Sequence, residues 1–220
     1  LGAPIKLLLV DSQAIVRLGC MTALNAQLPQ SAISEAGSGE EALLQVQQSI
    51  PHLLLMDFHL PGISGLETTR RLRQRLPGLR VLFFAAQSEA ALVRKALAVG
   101  ACGWLSKAAE PARLVDAVKR TLAGQVYIEP QLAMQMACSR GEDSASDRRL
   151  ASLTARELEV FMLLSRGIGQ QQIAQRLCIS RKTLSNHICL LKNKLSIDSL
   201  AALVHLALAT GVLQQADEPR

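Results

Sequence analysis

The sequence predicts an α/β doubly wound five-stranded parallel sheet followed by an all-α unit of four helices, on three observations. Up to about residue 123, short apolar runs alternate with longer segments of helical period, the mark of repeated βα units. The stretch Ser139 to Arg149 (SRGEDSASDRR) is then small, polar and charged, as a linker is. From Leu153 to Leu213 helical period returns without any strand pattern. The predicted boundaries are residues 1–123 for the first unit, 124–150 for the linker and 151–215 for the second unit.

The predicted strands are Ile5–Val10, Ala32–Ala36, Leu53–Asp57, Val81–Ala85 and Cys102–Leu105, each read as a continuous run buried on both faces. Between them, segments near 13–27, 39–49, 64–76, 88–99 and 110–123 carry apolar residues at helical spacing. Right-handed crossovers then give an open sheet with helices on both faces, and its ligand site lies beyond the carboxyl ends of the strands. In the second unit, helices are predicted near 155–166, 170–177, 181–195 and 198–210.

Composition narrows the function classes. Nearly half of the 220 residues are hydrophobic, so the chain can bury a core without staples. Its five cysteines (Cys20, Cys102, Cys138, Cys178, Cys189) form no C-x-x-C pair, which argues against a disulfide framework or zinc site. No apolar window is long enough to span a membrane, and the run Leu7–Val10 ends at Asp11 too soon for a signal peptide. A cytoplasmic location with no membrane partner is therefore expected. The net charge of +6 favours an anionic partner.

Asp11 and Asp57 each end a predicted strand, and Lys107 lies just past the fifth. On such a sheet these ends are neighbours, and two carboxylates facing an ammonium can take a hard dication and an incoming phosphoryl group. The turn Phe58-His59-Leu60-Pro61-Gly62 stops the third strand and leaves Asp57 at the mouth of the cleft, where a carboxylate nucleophile must stand. Singly, each acid could equally cap a helix or satisfy a turn; the three together point to chemistry.

LLLVDSQ, LLLMDFHLPGISGLE and GACGWLSKAAEP resemble the receiver domain of bacterial two-component response regulators, over residues 5 to about 123. The resemblance implies a flavodoxin-like sheet, with Asp57 phosphorylated by a sensor histidine kinase. It further implies that Mg²⁺ is held by Asp11, Asp57 and the backbone of His59, and that Lys107 contacts the phosphoryl group. Ala85 and Trp104 fall at the switch positions, Trp104 being the aromatic that turns inward on activation. Two residues depart from the pattern. Ser12 stands where a second acid, a direct metal ligand, is usual, so Mg²⁺ binding is expected to be weak. Ala85 replaces a Thr or Ser whose hydroxyl holds the phosphoryl oxygen, a contact of about 1.5–3 kcal/mol.

In the second unit, Gln170 to Leu195 reads as helix, turn, helix, with Ser180 as N-cap of the second helix. Leu184, Ile188, Leu191 and Leu195 form its inner stripe; Lys182, Ser185, Asn186, Cys189, Lys192 and Asn193 form the outer one. Residues 151–213 hold seven basic residues against three acids. That surplus suits a helix laid in the major groove of duplex DNA, with Lys182 or Thr183 on phosphates. An ordinary solvated helix face is the alternative. His187, beside the inner stripe, reads as a packing residue.

The segment LTARELEVFMLLSRGIGQQQIAQRLCISRKTLSNHICLLKNKL is similar to the four-helix LuxR-type DNA-binding domain. The two halves together resemble the NarL/FixJ response regulators. Carried over, Lys182, Thr183 and Lys192 contact the DNA backbone, while Ser185, Asn186 and Cys189 face base edges. Position 185 is commonly Lys in that family. A transcription regulator is expected, acting as a homodimer on DNA and meeting RNA polymerase. Two alternatives stand beside phosphorylation control: a phosphorylation-independent regulator, and an aspartate-nucleophile phosphohydrolase with His59 as general acid.

Overall fold

A computed structural model describes residues 4–86, 90–138, 149–150, 152–210 and 212–213. The chain divides into two compact units, one made of Leu1–Ser88 and Leu92–Ala133 and the other taking in Met134–Arg220. Most of the predicted linker core, residues 139–148, lies outside the described residues.

The first unit is a parallel sheet of order β2-β1-β3-β4-β5-β6. Its strands are β1 (Ile5–Val10), β2 (Ser31–Ala36), β3 (Leu53–Met56), β4 (Arg80–Ala85), β5 (Gly103–Ser106) and β6 (Tyr127–Ile128). The helices are α1 (Ala14–Gln27), α2 (Gly39–Gln48), α3 (Gly65–Arg75), α4 (Ala90–Ala98) and α5 (Pro111–Leu122), and α6 (Pro130–Cys138) runs across the division at Ala133. The five expected strands are present, and two features correct the expectation. Gly124 turns the chain at φ +84° and Tyr127 donates to the carbonyl of Cys102, so a sixth strand pairs with β5 where a linker was expected. Gly103 permits this approach, because a Cβ there would strike the Tyr127 carbonyl. Helix α6, opened by Pro130, occupies more of the same stretch. Strand β2 is not a doubly buried run either. It lies at the edge of the sheet and its burial alternates, Ala32 and Ser34 being exposed while the half-buried Glu35 pairs with Arg17 of α1 at 2.9 Å.

Leu7, Leu9, Leu55 and Phe84 on one face of the sheet pack against Leu24 of α1 and Val118 of α5. Each such buried leucine contributes about 1.5–3 kcal/mol. Ser38 and Ser64 cap α2 and α3 through the backbone N–H groups of Glu41 and Glu67.

The second unit is built from α7 (Ala155–Ser165), α8 (Gln170–Arg176), α9 (Arg181–Leu195) and α10 (Leu200–Ala209). Thr154 and Glu157 form a reciprocal capping box that starts α7. Lys194 of α9 donates to Glu157 at 2.7 Å. Arg156 of α7 pairs with the fully buried Glu159 at 2.8 Å and reaches the Leu177 carbonyl at the end of α8 at 2.5 Å. Together these bonds fix the helix-turn-helix angle around Phe161, Ile173 and Leu191, all fully buried.

Candidate functional site

Asp11 and Asp57 follow β1 and β3, the pair of strands at which the strand order reverses. Each residue is held by one further rung of the ladder: Asp11 N–H donates to Ala36, Asp57 N–H to Val10 at 2.8 Å, and Lys107 N–H to Ala85 at 2.8 Å. The Lys107 ammonium then lies 2.6 Å from Asp11 Oδ2 and 2.9 Å from Asp57 Oδ2. Asp11 Oδ1 accepts from the Gln13 backbone at 2.8 Å, and the Asp11 carbonyl accepts from Arg17 at 2.7 Å. A Cβ at Gly65 would collide with the Asp57 carbonyl, so the glycine lets α3 begin directly against the site. Gly62, at φ +70°, makes the preceding turn.

Both carboxylates are only 5% exposed. Burial pushes the Asp57 carboxyl up to about 6; the Lys107 charge and the His59 N–H oppose this, and the Asp11 charge adds to it. Burial also works against the Lys107 charge, but the two carboxylates hold it above the ordinary lysine range. At neutral pH an ionised Asp57 carboxylate therefore stands beside the Lys107 ammonium, the pairing that phosphoryl transfer to a carboxylate would use. Ser12 is exposed. Among the described residues no three His, Cys, Asp or Glu side chains converge as a metal site. A dication would find two carboxylates here, both bonded to Lys107.

Ala85 and Trp104 are both fully buried. Trp104 stacks on Phe83 and lies 5.6 Å from the ring of Phe58, so the aromatic at the position expected to switch stands inward. Phe58, Phe83 and Arg17 were not anticipated from sequence. Phe58, next to Asp57, could have been found as a bulky apolar residue adjoining the candidate nucleophile. His59 packs its ring edge-on to Phe58 at 4.9 Å.

On α9, Leu184, Leu191 and Leu195 are buried and Ile188 half-buried. Lys182, Thr183, Ser185, Asn186, Cys189 and Asn193 are exposed. Ser180 caps the Thr183 N–H at 3.0 Å and bonds its hydroxyl at 2.8 Å. Lys192 departs from the exposed stripe: it is half-buried, with Nζ 3.3 Å from the Asp198 carbonyl. His187 is half-buried, and burial together with the Arg156 charge holds it below the ordinary histidine range.

This fold and site define a response regulator, a receiver joined to a helix-turn-helix DNA-binding unit. Residues 7–119 match the response regulator receiver domain family and residues 151–207 match the bacterial regulatory proteins of the luxR family. The chain belongs to the NarL/FixJ-type, LuxR-family response regulators, which are signalling and DNA-binding proteins. It is similar to the transcriptional activator protein ExaE of Pseudomonas putida, 56% identical over 94% of this chain and 98% of that one. It is also similar to the response regulator GacA of Pseudomonas aeruginosa, 32% identical over 96% and 99%. A LuxR-family two-component response regulator from Aurantimonas has a solved structure with TM-score 0.60 at 33% identity, covering 63% of this chain and 99% of that one. RcsB of Salmonella enterica, solved on promoter rprA with a phosphomimetic, shares the fold with TM-score 0.62 at 20% identity, over 92% and 98%. No helix among the described residues is long and apolar enough to cross a membrane.

Proposed function

We propose that this regulator binds DNA without waiting for phosphorylation, Asp57 being a phosphoacceptor position only loosely coupled to output. The burial of Trp104 against Phe83 and Phe58 carries this reading. Ala85 has no hydroxyl to draw toward a phosphoryl oxygen, so the tie between Asp57 and the aromatic is cut. Lys107 supplies the positive charge that Asp11 and Asp57 need. Asp11, Asp57 and the His59 carbonyl would hold Mg²⁺ weakly, Ser12 giving no third carboxylate. When bound, the ion would offset charge on the incoming phosphoryl group. Asp57 Oδ would attack the phosphorus of the donor, an acyl phosphate forming as the bond from phosphorus to the donor's leaving group breaks and that group departs with the bonding pair, and Lys107 would pair with a phosphoryl oxygen.

In the DNA-binding unit, Lys182, Thr183 and Lys192 contact the backbone, while Ser185, Asn186 and Cys189 meet base edges. The partners are duplex DNA, bound as a homodimer on symmetric half-sites, and RNA polymerase. The name of the Pseudomonas putida relative, a transcriptional activator, supports activation as the outcome. A sensor histidine kinase belongs to the second reading, an ordinary phosphorelay, favoured by the closeness of Asp11, Asp57 and Lys107.

The test is DNA affinity of the full chain before and after Mg²⁺ and a small-molecule phosphoryl donor, with intact mass following Asp57 and Asp57→Asn as control. Less than about threefold change in affinity is expected, with the variant binding as the wild type does. A gain of about tenfold or more that Asp57→Asn abolishes would replace this reading with the phosphorelay.

A further inference from the structure

Helix α9 carries one outward side chain that neither its packing nor its charge explains. Leu190 is 51% exposed, although the buried stripe of Leu184, Leu191 and Leu195 lies on the other side of the helix. At 3.6 residues per turn, Leu190 lies about 40° around the axis from Asn186 and about 60° from Asn193, both exposed. Its neighbour Cys189 is exposed too, and the Asn193 amide reaches its sulfur at 3.9 Å. The middle of the outward face is therefore an apolar step, Cys189-Leu190, one turn after an amide. Arg181 and Lys182 precede it, and Lys192 and Lys194 follow it. The exposed Lys182 at the start of the helix suits a phosphate backbone bordering a major groove and places the apolar step over the groove floor, while Lys192 and Lys194 are drawn to the Asp198 carbonyl and to Glu157.

The apolar group that a B-form major groove offers is the thymine 5-methyl, and the partner that suits an asparagine amide is adenine, through N6 and N7. One helical turn advances about 5.4 Å while successive base pairs are about 3.4 Å apart, so Asn186 and Leu190 address positions about one or two base pairs apart. We propose that Leu190 is a specificity-determining residue that packs, with Cys189, on a thymine methyl near an adenine read by Asn186. The inference rests on the reading of α9 as the DNA-recognition helix and adds to it the identity of a base.

The experiment begins with duplexes enriched by the full-length chain from a randomised library, resynthesised with deoxyuridine in place of thymidine one position at a time. Losing one buried methyl should weaken binding about fourfold at one thymine in each half-site and leave the other positions within about twofold. Leu190→Ala should bind the thymine duplex about as weakly as wild type binds the uracil duplex, and should show no contrast between the two. Because Leu190 lies outside the core, the variant should melt as the wild type does; Leu190→Gln provides a second variant, and the thymine–uracil contrast in the wild type needs none. Salt-dependent binding with no such contrast, or a contrast that survives in Leu190→Ala, overturns the assignment and leaves the recognition helix in place. An effect of Leu190→Ala on the oligomeric state alone overturns it equally. Failure to enrich any sequence, with no salt-dependent binding, removes the DNA-recognition reading of α9 and this inference with it.

Discussion

The indole of Trp104 stacks on the ring of Phe83 with centroids 5.4 Å apart and planes inclined by 21°. The parallel register produces this pairing, since the two residues stand opposite each other on β4 and β5. Ala85, two residues beyond Phe83 on the same strand face, is fully buried. A short side chain at the end of β4 and a large one at β5 thus share a closed compartment with Phe58, and aromatic contacts of this kind add about 0.5–1.5 kcal/mol each.

Trp104 is the only tryptophan, so its emission reports on that compartment alone. The wild type should show blue-shifted emission, weak acrylamide quenching, and no change with Mg²⁺ and a phosphoryl mimic. Ala85→Thr adds volume at a site without room, costing about 1–3 kcal/mol, and should raise quencher access. Combining it with Ser12→Asp should restore Mg²⁺-dependent quenching and mimic-driven dimerisation. In that double variant, Asp57→Asn should abolish phosphorylation. Tight Mg²⁺ binding and efficient phosphotransfer to the unmodified chain would refute this account.

Asp57 imposes a pH dependence with a definite sign. Its carboxyl is raised from the ordinary value near 3.8 to about 6, with burial the largest cause. The folded state therefore holds a proton more tightly than the unfolded chain between those limits. The associated stability is complete below about pH 4 and is lost as pH rises through 6, a change of about 3 kcal/mol. The amide introduced by Asp57→Asn cannot titrate, so urea titrations should show wild-type stability falling relative to the variant across that window. A flat difference, or one of opposite slope, would show that Asp57 is not held out of water in this way.

Lys107 is the counter-ion of two buried carboxylates, and removing it leaves both without that partner. Lys107→Ala should cost about 3–5 kcal/mol in unfolding free energy. A dication can then take the vacated role, so Mg²⁺ should raise the melting midpoint of the variant more than that of the wild type. An equal or larger Mg²⁺ effect on the wild type would show that the lysine does not compete with the ion.

Lys182 projects from the first turn of α9, where its charge is exposed. Residues 150–220 should bind duplex DNA without the receiver, and Lys182→Ala should weaken that binding across sequences while reducing the salt slope by about one phosphate contact. An unaltered salt dependence would take Lys182 out of the phosphate-binding set.

The alternation of strands and helices in the receiver, and the four helices that follow, were legible in the order of residues alone. Both depend on apolar spacing, which is local and survives in one dimension. The meeting of Asp11, Asp57 and Lys107 was legible too, because a parallel sheet brings the carboxyl ends of its strands to one edge whatever the loops do. Strand β6 escaped, as two residues carry no period and their place beside β5 depends on the bare backbone of Gly103. The alternation of β2 followed from its edge position, a property of strand order. Long-range packing settled which way Trp104 turns, that one ammonium bridges both acids, and that Lys192 bends to the Asp198 carbonyl while Leu190 stays in water. Residue type and spacing set which groups reach one neighbourhood. The rotamer and partner each adopts there depend on the shape and charge of side chains distant in sequence, which no local pattern records.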